Sequence, residues 1–192
     1  MQTRTELAVE LIDPLEHADE LREVHRTALG VGAISDEWAR RQLPRHTQRD
    51  DFVFLVARDD DGISGFAYGY TGEYGQWWTD SVARSLTPEQ QAAWVDEPHY
   101  EVVELHVRPS RQRRGIGSML LAHLLTRQPH DRALLSTRAG STQARRFYAK
   151  NGWTELAPVD FGSGFAPYLV LGKLLTSSSL TALNSRADSP AH

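Results

Sequence analysis

Residues 100–125 read YEVVELHVRPSRQRRGIGSMLLAHLL, and the architecture of the chain turns on them. Tyr100 to Val107 carries β-branched residues at 102, 103 and 107 and is stopped by Pro109, which predicts a strand. From Gly115 to Arg127, the residues Ile116, Met119, Leu120, Leu124 and Leu125 fall on one face at helical spacing. The loop between them holds glycine at 115 and 117, where a backbone without side chains can approach a ligand closely. The first turn of the helix that follows presents unpaired N–H groups and the positive end of the helix dipole. Together these make an anion site out of backbone. It is not a P-loop, because Gly-x-x-x-x-Gly-Lys-Ser/Thr is absent, nor a dinucleotide fingerprint, which needs a third glycine where Leu120 stands.

Before this unit, TELAVELI alternates like a strand, and Leu15, Leu21, Val24 and Leu29 mark an amphipathic helix. Ser35, followed by Asp36, Glu37 and Trp38, has the form of an N-cap opening a second helix that Pro44 disturbs. Two apolar runs joined by Asp59-Asp60-Asp61-Gly62 predict a β-hairpin from Phe52 to about Tyr70. The pattern then breaks over 71–99, with Trp77, Trp78 and a Thr87-Pro88-Glu89 helix start. Loops of that length are usually functional. Beyond the central helix come a strand at 133–137, a helix at 142–150, a strand from Trp153 and a strand at 168–174. Residues 176–192 are Ser-rich without periodicity and are expected to be a disordered tail, leaving one α/β domain over 1–175.

The 192 residues contain no cysteine, which excludes disulfides, thiolate nucleophiles and cysteine-held metals. No apolar run is long enough to span a bilayer, so the sequence reads as a soluble, unprocessed, cytoplasmic protein. Net charge runs unevenly along the chain: −6 over 1–70, −6 over 71–104, +9 over 105–150 and −1 thereafter. One basic block in an acidic protein points to a localised anion, either a phosphorylated cofactor or a nucleic-acid backbone, and the overall negative charge disfavours the latter. Eight histidines fall in no compact ligand spacing, and Gly-x-Ser-x-Gly is absent, so neither a metal site nor a hydrolase elbow is expected.

The segment from Val107 through Pro109, Gln112, Gly115 and Gly117 to Ser118 resembles the acyl-CoA-binding motif of the GNAT superfamily of N-acyltransferases, Val-x-Pro-x-x-Arg/Gln-x-x-Gly-x-Gly/Ala. Some thirty residues later, Ala144-Arg-Arg-Phe147-Tyr148-Ala-Lys150-Asn-Gly152-Trp resembles the family's second motif, with Ser141 where the family often has Asn. The resemblance implies a GNAT fold: a mixed, largely antiparallel central sheet of about six to seven strands flanked by helices. It further implies that acetyl-CoA is the acyl donor, held by the strand amides of Leu105, His106 and Val107. Its pyrophosphate would lie on Gln112, Arg113, Arg114, Gly115, Ile116, Gly117 and Ser118, and Ser141 and Tyr148 would be further contacts to the cofactor.

Direct transfer needs a neutral amine, so a carboxylate is the expected base. Glu104 is preferred and Glu101 is the alternative, both on the strand that borders the thioester in the family. Tyr148 matches the position whose hydroxyl protonates the leaving thiolate. Glu73, Trp77, Trp78 and Glu101 lie in or beside an acidic, aromatic stretch suited to a cation and are the candidate acceptor contacts. The expected activity is acetylation of a primary amine on a cationic small molecule, without a metal, nucleic acid or membrane, and a homodimer is compatible with the sequence. A catalytically silent acyl-CoA sensor and a protein N-acetyltransferase are the alternatives.

Overall fold

The computed structural model describes residues 7–162, 164 and 167–175. Seven strands form one sheet in the order β1-β2-β3-β4-β5-β7-β6. In chain order they are β1 (Ala8–Leu11), β2 (Val53–Asp59), β3 (Gly62–Gly72), β4 (His99–Val107), β5 (Arg132–Arg138), β6 (Thr154–Val159) and β7 (Tyr168–Leu174). Pairing is antiparallel for β1–β2, β2–β3, β5–β7 and β6–β7, and parallel for β4–β5. The β4–β5 register covers only Tyr100 opposite Ala133 and Glu101 opposite Leu134. The helices are α1 (Ala18–Leu29), α2 (Gly32–Glu37), α3 (Leu43–His46), α4 (Trp77–Ala83), α5 (Pro88–Trp94), α6 (Ile116–Leu125) and α7 (Thr142–Lys150). The expected mixed α/β sheet is therefore present. The tail expected at 176–192 lies outside the described residues.

The chain divides into two compact units, each drawn from two stretches. The first combines Met1–Tyr70 with Val102–Gln128. Its core joins Leu21 and Val24 of α1 to Trp38, Leu43, Phe54, Val56, Ile63, Phe66 and Tyr68. Phe54 and Val56 point to this cluster, so their neighbours Leu55 and Ala57, equally buried, face the other side of the strand, where α6 packs on β2. A strand buried on both faces reads as a continuous apolar run, as FVFLVA does.

Ser35 is not the N-cap that its sequence context suggested. It sits inside α2, and its hydroxyl meets the Val31 carbonyl at 3.1 Å and His25 Nδ1 at 2.8 Å. Trp38–Gln42 is a π-helical turn in which the Leu43 N–H reaches the Trp38 carbonyl. Pro44, one residue on, has no N–H to give a normal helical bond, and its ring would crowd the carbonyl four residues back. The wider turn relieves both.

The second unit combines Thr71–Glu101 with Pro129–His192. Val82, Ala83, Leu86 and Val95 from the long 71–99 stretch pack with Leu134, Val159 and Val170. α5 starts on a capping box, in which the Thr87 side chain accepts from the Gln90 N–H and the Gln90 side chain accepts from the Thr87 N–H. Trp94 and Trp78 pack against this core. A Cβ on Gly172 would fall 2.6 Å from Trp94, so the absence of a side chain in β7 makes the slot for that indole. The stretch is thus a structural layer rather than an open loop.

Candidate active site

β4 ends at Val107, and the 3₁₀ turn Pro109–Arg111 leads into the glycine loop. Gln112 Nε2 donates to the Val107 carbonyl at 3.1 Å, tying the loop back to the strand end. Arg113 and Gly115 both have positive φ, 60° and 84°, so the chain curls tightly before α6. Gly115 bears this at no steric cost, whereas Arg113 is strained by roughly 1–2 kcal/mol. The first bond within α6 runs from the Met119 N–H to the Gly115 carbonyl at 3.0 Å, which leaves the N–H groups of Ile116, Gly117 and Ser118 ahead of it. Left-handed residues next to a helix start form a concave nest of N–H donors, and an anionic diphosphate fits that chemistry. The residues expected to bind the donor's phosphates, Gln112 to Ser118, all lie here.

The basic block is less free than its count suggests. The Arg111 guanidinium is bound by Asp59 at 2.9 Å and by Asp61, both at the hairpin turn. Arg108 Nε donates to the Ile63 carbonyl, Arg132 pairs with Asp131, and Arg145 holds Glu155 with two hydrogen bonds. Arg113 and Arg114, both exposed, are the cations on the loop itself.

The strongest concentration of chemistry lies on β4 within the first unit. Glu104 Oε2 is 2.6 Å from His106 Nε2, and Glu104 Oε1 is 3.9 Å from His25 Nε2. His25 is 1% exposed and stacked on Trp38, with ring centroids 4.5 Å apart and planes 7° from parallel. Its edge meets the His106 ring at 4.8 Å. Burial by itself would raise the Glu104 carboxyl. The charge and hydrogen bond of His106, together with the His25 ring 3.9 Å away, outweigh burial and hold it down to about 2. A metal ion would find ligand atoms here, since those of His25, Glu104 and His106 lie within 4.8 Å of one another. Nearby, Trp38 Nε1 donates to the Tyr68 hydroxyl at 3.0 Å, and that oxygen also pairs with His46 Nδ1. Burial pushes His46 down to about 4, although Glu104 opposes it.

The other expected site residues belong to the second unit. Glu101 is 4% exposed, at the short β4–β5 pairing. Ser141 caps α7, its hydroxyl accepting from the Ala144 N–H at 3.3 Å. The Tyr148 ring packs edge-on against Phe147 and Trp153. Trp77 is 60% exposed and lies against Phe161, and Glu73 is exposed. The half-buried Trp78 packs one side of its ring on the core, and its Nε1 donates to Ser136 Oγ at 3.2 Å.

The family description that matches residues 18–153 is the acetyltransferase (GNAT) family. The chain belongs to this family. A curated relative, the GCN5-like protein acetyltransferase Rv2170 of Mycobacterium tuberculosis, is 34% identical over 119 residues. That match spans 58% of this chain and 58% of the relative, so the chain accounts for little more than half of the relative's length. Solved structures share the GNAT fold at low identity. The ribosomal-protein-S18-alanine N-acetyltransferase of Escherichia coli superposes with a TM-score of 0.61 at 13% identity, over 89% of this chain and 95% of that one. The PaiA N-acetyltransferase of Thermoplasma acidophilum, solved in complex with coenzyme A, gives 0.56 at 16% identity, over 88% and 99%. Among the described residues of this GNAT chain, no helix is long and apolar enough to cross a membrane.

Two members of the β4 cluster, His25 and Ser35, were not among the residues expected at the site. They lie on helices far from β4 in sequence, and no local spacing links them to Glu104. The available signal was a histidine on the apolar side of an amphipathic helix, beside Leu21 and Val24, where a core helix ordinarily carries an aliphatic residue.

Proposed function

We propose that this GNAT protein transfers an acetyl group from acetyl-CoA to a primary amine of a cationic small molecule, directly and within a ternary complex. The observation that carries this reading is the Glu104–His106 contact on β4, a carboxylate and an imidazole 2.6 Å apart on the strand that runs into the N–H nest. The amine loses a proton to this pair and its nitrogen attacks the thioester carbon. The carbonyl oxygen becomes negative in the tetrahedral intermediate, and collapse expels the CoA thiolate, which takes a proton from the Tyr148 hydroxyl. The residues that would hold the donor are the N–H groups of 113–118 with Arg113 and Arg114, and the strand amides of Leu105 to Val107.

A cationic acceptor is favoured by the negative charge of 71–104 and by the exposed Trp77 and Tyr74. A second reading, a protein acceptor, is supported by the relative from Mycobacterium tuberculosis, a GCN5-like protein acetyltransferase. The test is an amine screen with acetyl-CoA and free-thiol detection, covering polyamines, amino sugars, acidic metabolites and lysine-bearing peptides, with calorimetry of acetyl-CoA binding alongside. Thiol release with a cationic small molecule is expected. Release only with peptides would favour the second reading, and binding without release from any amine would indicate a sensor.

A further inference from the structure

We infer that Asp59 and Asp61, at the tip of the β2–β3 hairpin, position the phosphate-binding loop of the acyl donor by clamping Arg111. The inference rests on the acyl-CoA part of the reading above and is independent of which amine is acetylated. Arg111 closes the 3₁₀ turn Pro109–Arg111, and Gln112, Arg113, Arg114 and Gly115 follow it directly. Its Nε donates to Asp59 Oδ2 at 2.9 Å, and its Nη2 donates to Asp61 Oδ2. Two of the three guanidinium nitrogens are thus committed to the hairpin.

The hairpin is shaped for this contact. Ala57 lies opposite Gly65 and Arg58 opposite Ile63, so Ser64 is the extra residue of a β-bulge. The Ser64 carbonyl accepts from the Arg108 N–H at 2.9 Å, and Arg108 Nε donates to the Ile63 carbonyl at 2.7 Å. The buried Ser64 hydroxyl donates to Asp59 Oδ2 at 2.6 Å, and the Asp61 N–H donates to Asp59 Oδ1 at 3.0 Å. Both bonds fix the carboxylate that Arg111 meets. The side chains of Asp59 and Arg111 are only 9% and 23% exposed, so the pair is shielded, whereas a fully solvated one would contribute little. The stretch 108–111 is held to the hairpin at both of its ends, by Arg108 and by Arg111.

The loop that follows needs such a hold. Arg113 sits at a φ of 60°, a conformation that persists only where the surroundings over-determine it. Downstream the loop is anchored by Ile116 and Leu120, buried on α6, and upstream by the clamp. Holding the N–H groups of 113–118 in their binding geometry beforehand removes an ordering cost from donor binding. Charge by itself would argue for the opposite arrangement, because two carboxylates beside an anion nest offset the Arg111 cation and repel a diphosphate. Their contribution is therefore geometric, and Asp59, Asp61 and Arg111 are positioning residues.

Calorimetry of acetyl-CoA binding to the full chain separates geometry from charge by sign, with no amine present. Asp59→Asn keeps the side-chain shape and an oxygen for the Asp61 N–H but removes the ion pair. It should weaken acetyl-CoA binding at least about fivefold, the low end of ordinary coupling between sites. If Arg111 instead turned to the phosphates when the donor binds, the same change would free it and tighten binding. Arg111→Lys keeps the charge without the planar fork and should weaken binding to a similar extent, whereas a direct phosphate contact would survive the change largely intact. S-acetylpantetheine, which lacks the diphosphate, should bind Asp59→Asn as it binds the native chain in ligand-observed NMR, while a general loss of fold would weaken both ligands. Asp61 is 80% exposed, so Asp61→Asn gives a folded variant that decides the matter if Asp59→Asn does not fold, and it should weaken acetyl-CoA in the same direction by a smaller factor. Acetyl-CoA binding that is unchanged or tighter in Asp59→Asn, or equal losses for the two ligands, would overturn the clamp alone. A native chain that binds no acetyl-CoA would sink the donor reading, and the role of the clamp with it.

Discussion

Gly65 on β3 has no side chain because His106 and Val107 occupy the space one would need. A Cβ there would meet the His106 carbonyl oxygen at 2.7 Å and Val107 Cα at 3.2 Å, and backbone atoms cannot swing aside. Gly65→Ala is therefore expected to displace β4 at His106, costing roughly 1–3 kcal/mol by overpacking and lowering turnover as well. Urea unfolding and the acetylation rate, measured on the same preparation, check both halves. Tyr148 gives a second prediction: Tyr148→Phe should reduce kcat by about 10²- to 10⁴-fold with acetyl-CoA affinity retained, and an unchanged rate would remove it from the proton path. Sequence reading singled out Glu104, Glu101 and Tyr148 because strand position and motif point to them directly. It placed His106 beside Glu104 as a cofactor contact, and it could not reach His25, because the meeting of α1 with β4 is a tertiary event that leaves no mark in local spacing.

At the scale of elements, the hairpin β2–β3, the helix α7 and the strand β7 were legible because turn chemistry and periodicity are local. The stretch 71–99 was harder. Its four aromatic residues, Tyr74, Trp77, Trp78 and Trp94, look alike in sequence, and only packing separates anchors from surface. Trp94 in the Gly172 slot and Trp78 on Ser136 pin α4 and α5 to the second unit, whereas Trp77 is left 60% exposed. The two classes should respond oppositely to substitution. Gly172→Ala should destabilise by about 1–3 kcal/mol, since the indole and Leu156 must both give way. Trp77→Ala should change stability by no more than about 0.5 kcal/mol, yet raise the KM for a cationic amine. A Trp77→Ala variant with native KM would remove the aromatic contact from the acceptor reading, and a large loss of melting temperature would make Trp77 structural.

For the molecule as a whole, the charge map was legible but its use was not. Sequence alone could not show that Arg108, Arg111, Arg132 and Arg145 are engaged by partners within the protein, while Arg113 and Arg114 on the glycine loop are exposed. Burial also gives the fold a defined acid limit. His99, in the second unit, is fully buried and is pushed from 6.5 to about 4 by that burial, and His46, in the first, is pushed down to the same value. Both folded values lie below the unfolded one, so the folded state favours the neutral rings. Stability from this source is complete above pH 6.5 and is lost as pH falls toward 4, where the unfolded chain takes up protons that the folded chain refuses. At 1.36 kcal/mol per unit, each ring accounts for about 3 kcal/mol across that window, a large share of an ordinary domain's stability. Glu104 acts in a lower window with the opposite shift in charge. Its carboxylate contributes fully above about 4.5, and that contribution falls away only as pH approaches 2. Acid unfolding should therefore begin between pH 6 and 4, ahead of carboxylate titration, and His46→Gln should flatten the slope there without altering the descent below 4. Urea midpoints that stay constant from pH 7 to 4.5 in the native chain would show that both rings protonate freely in the fold.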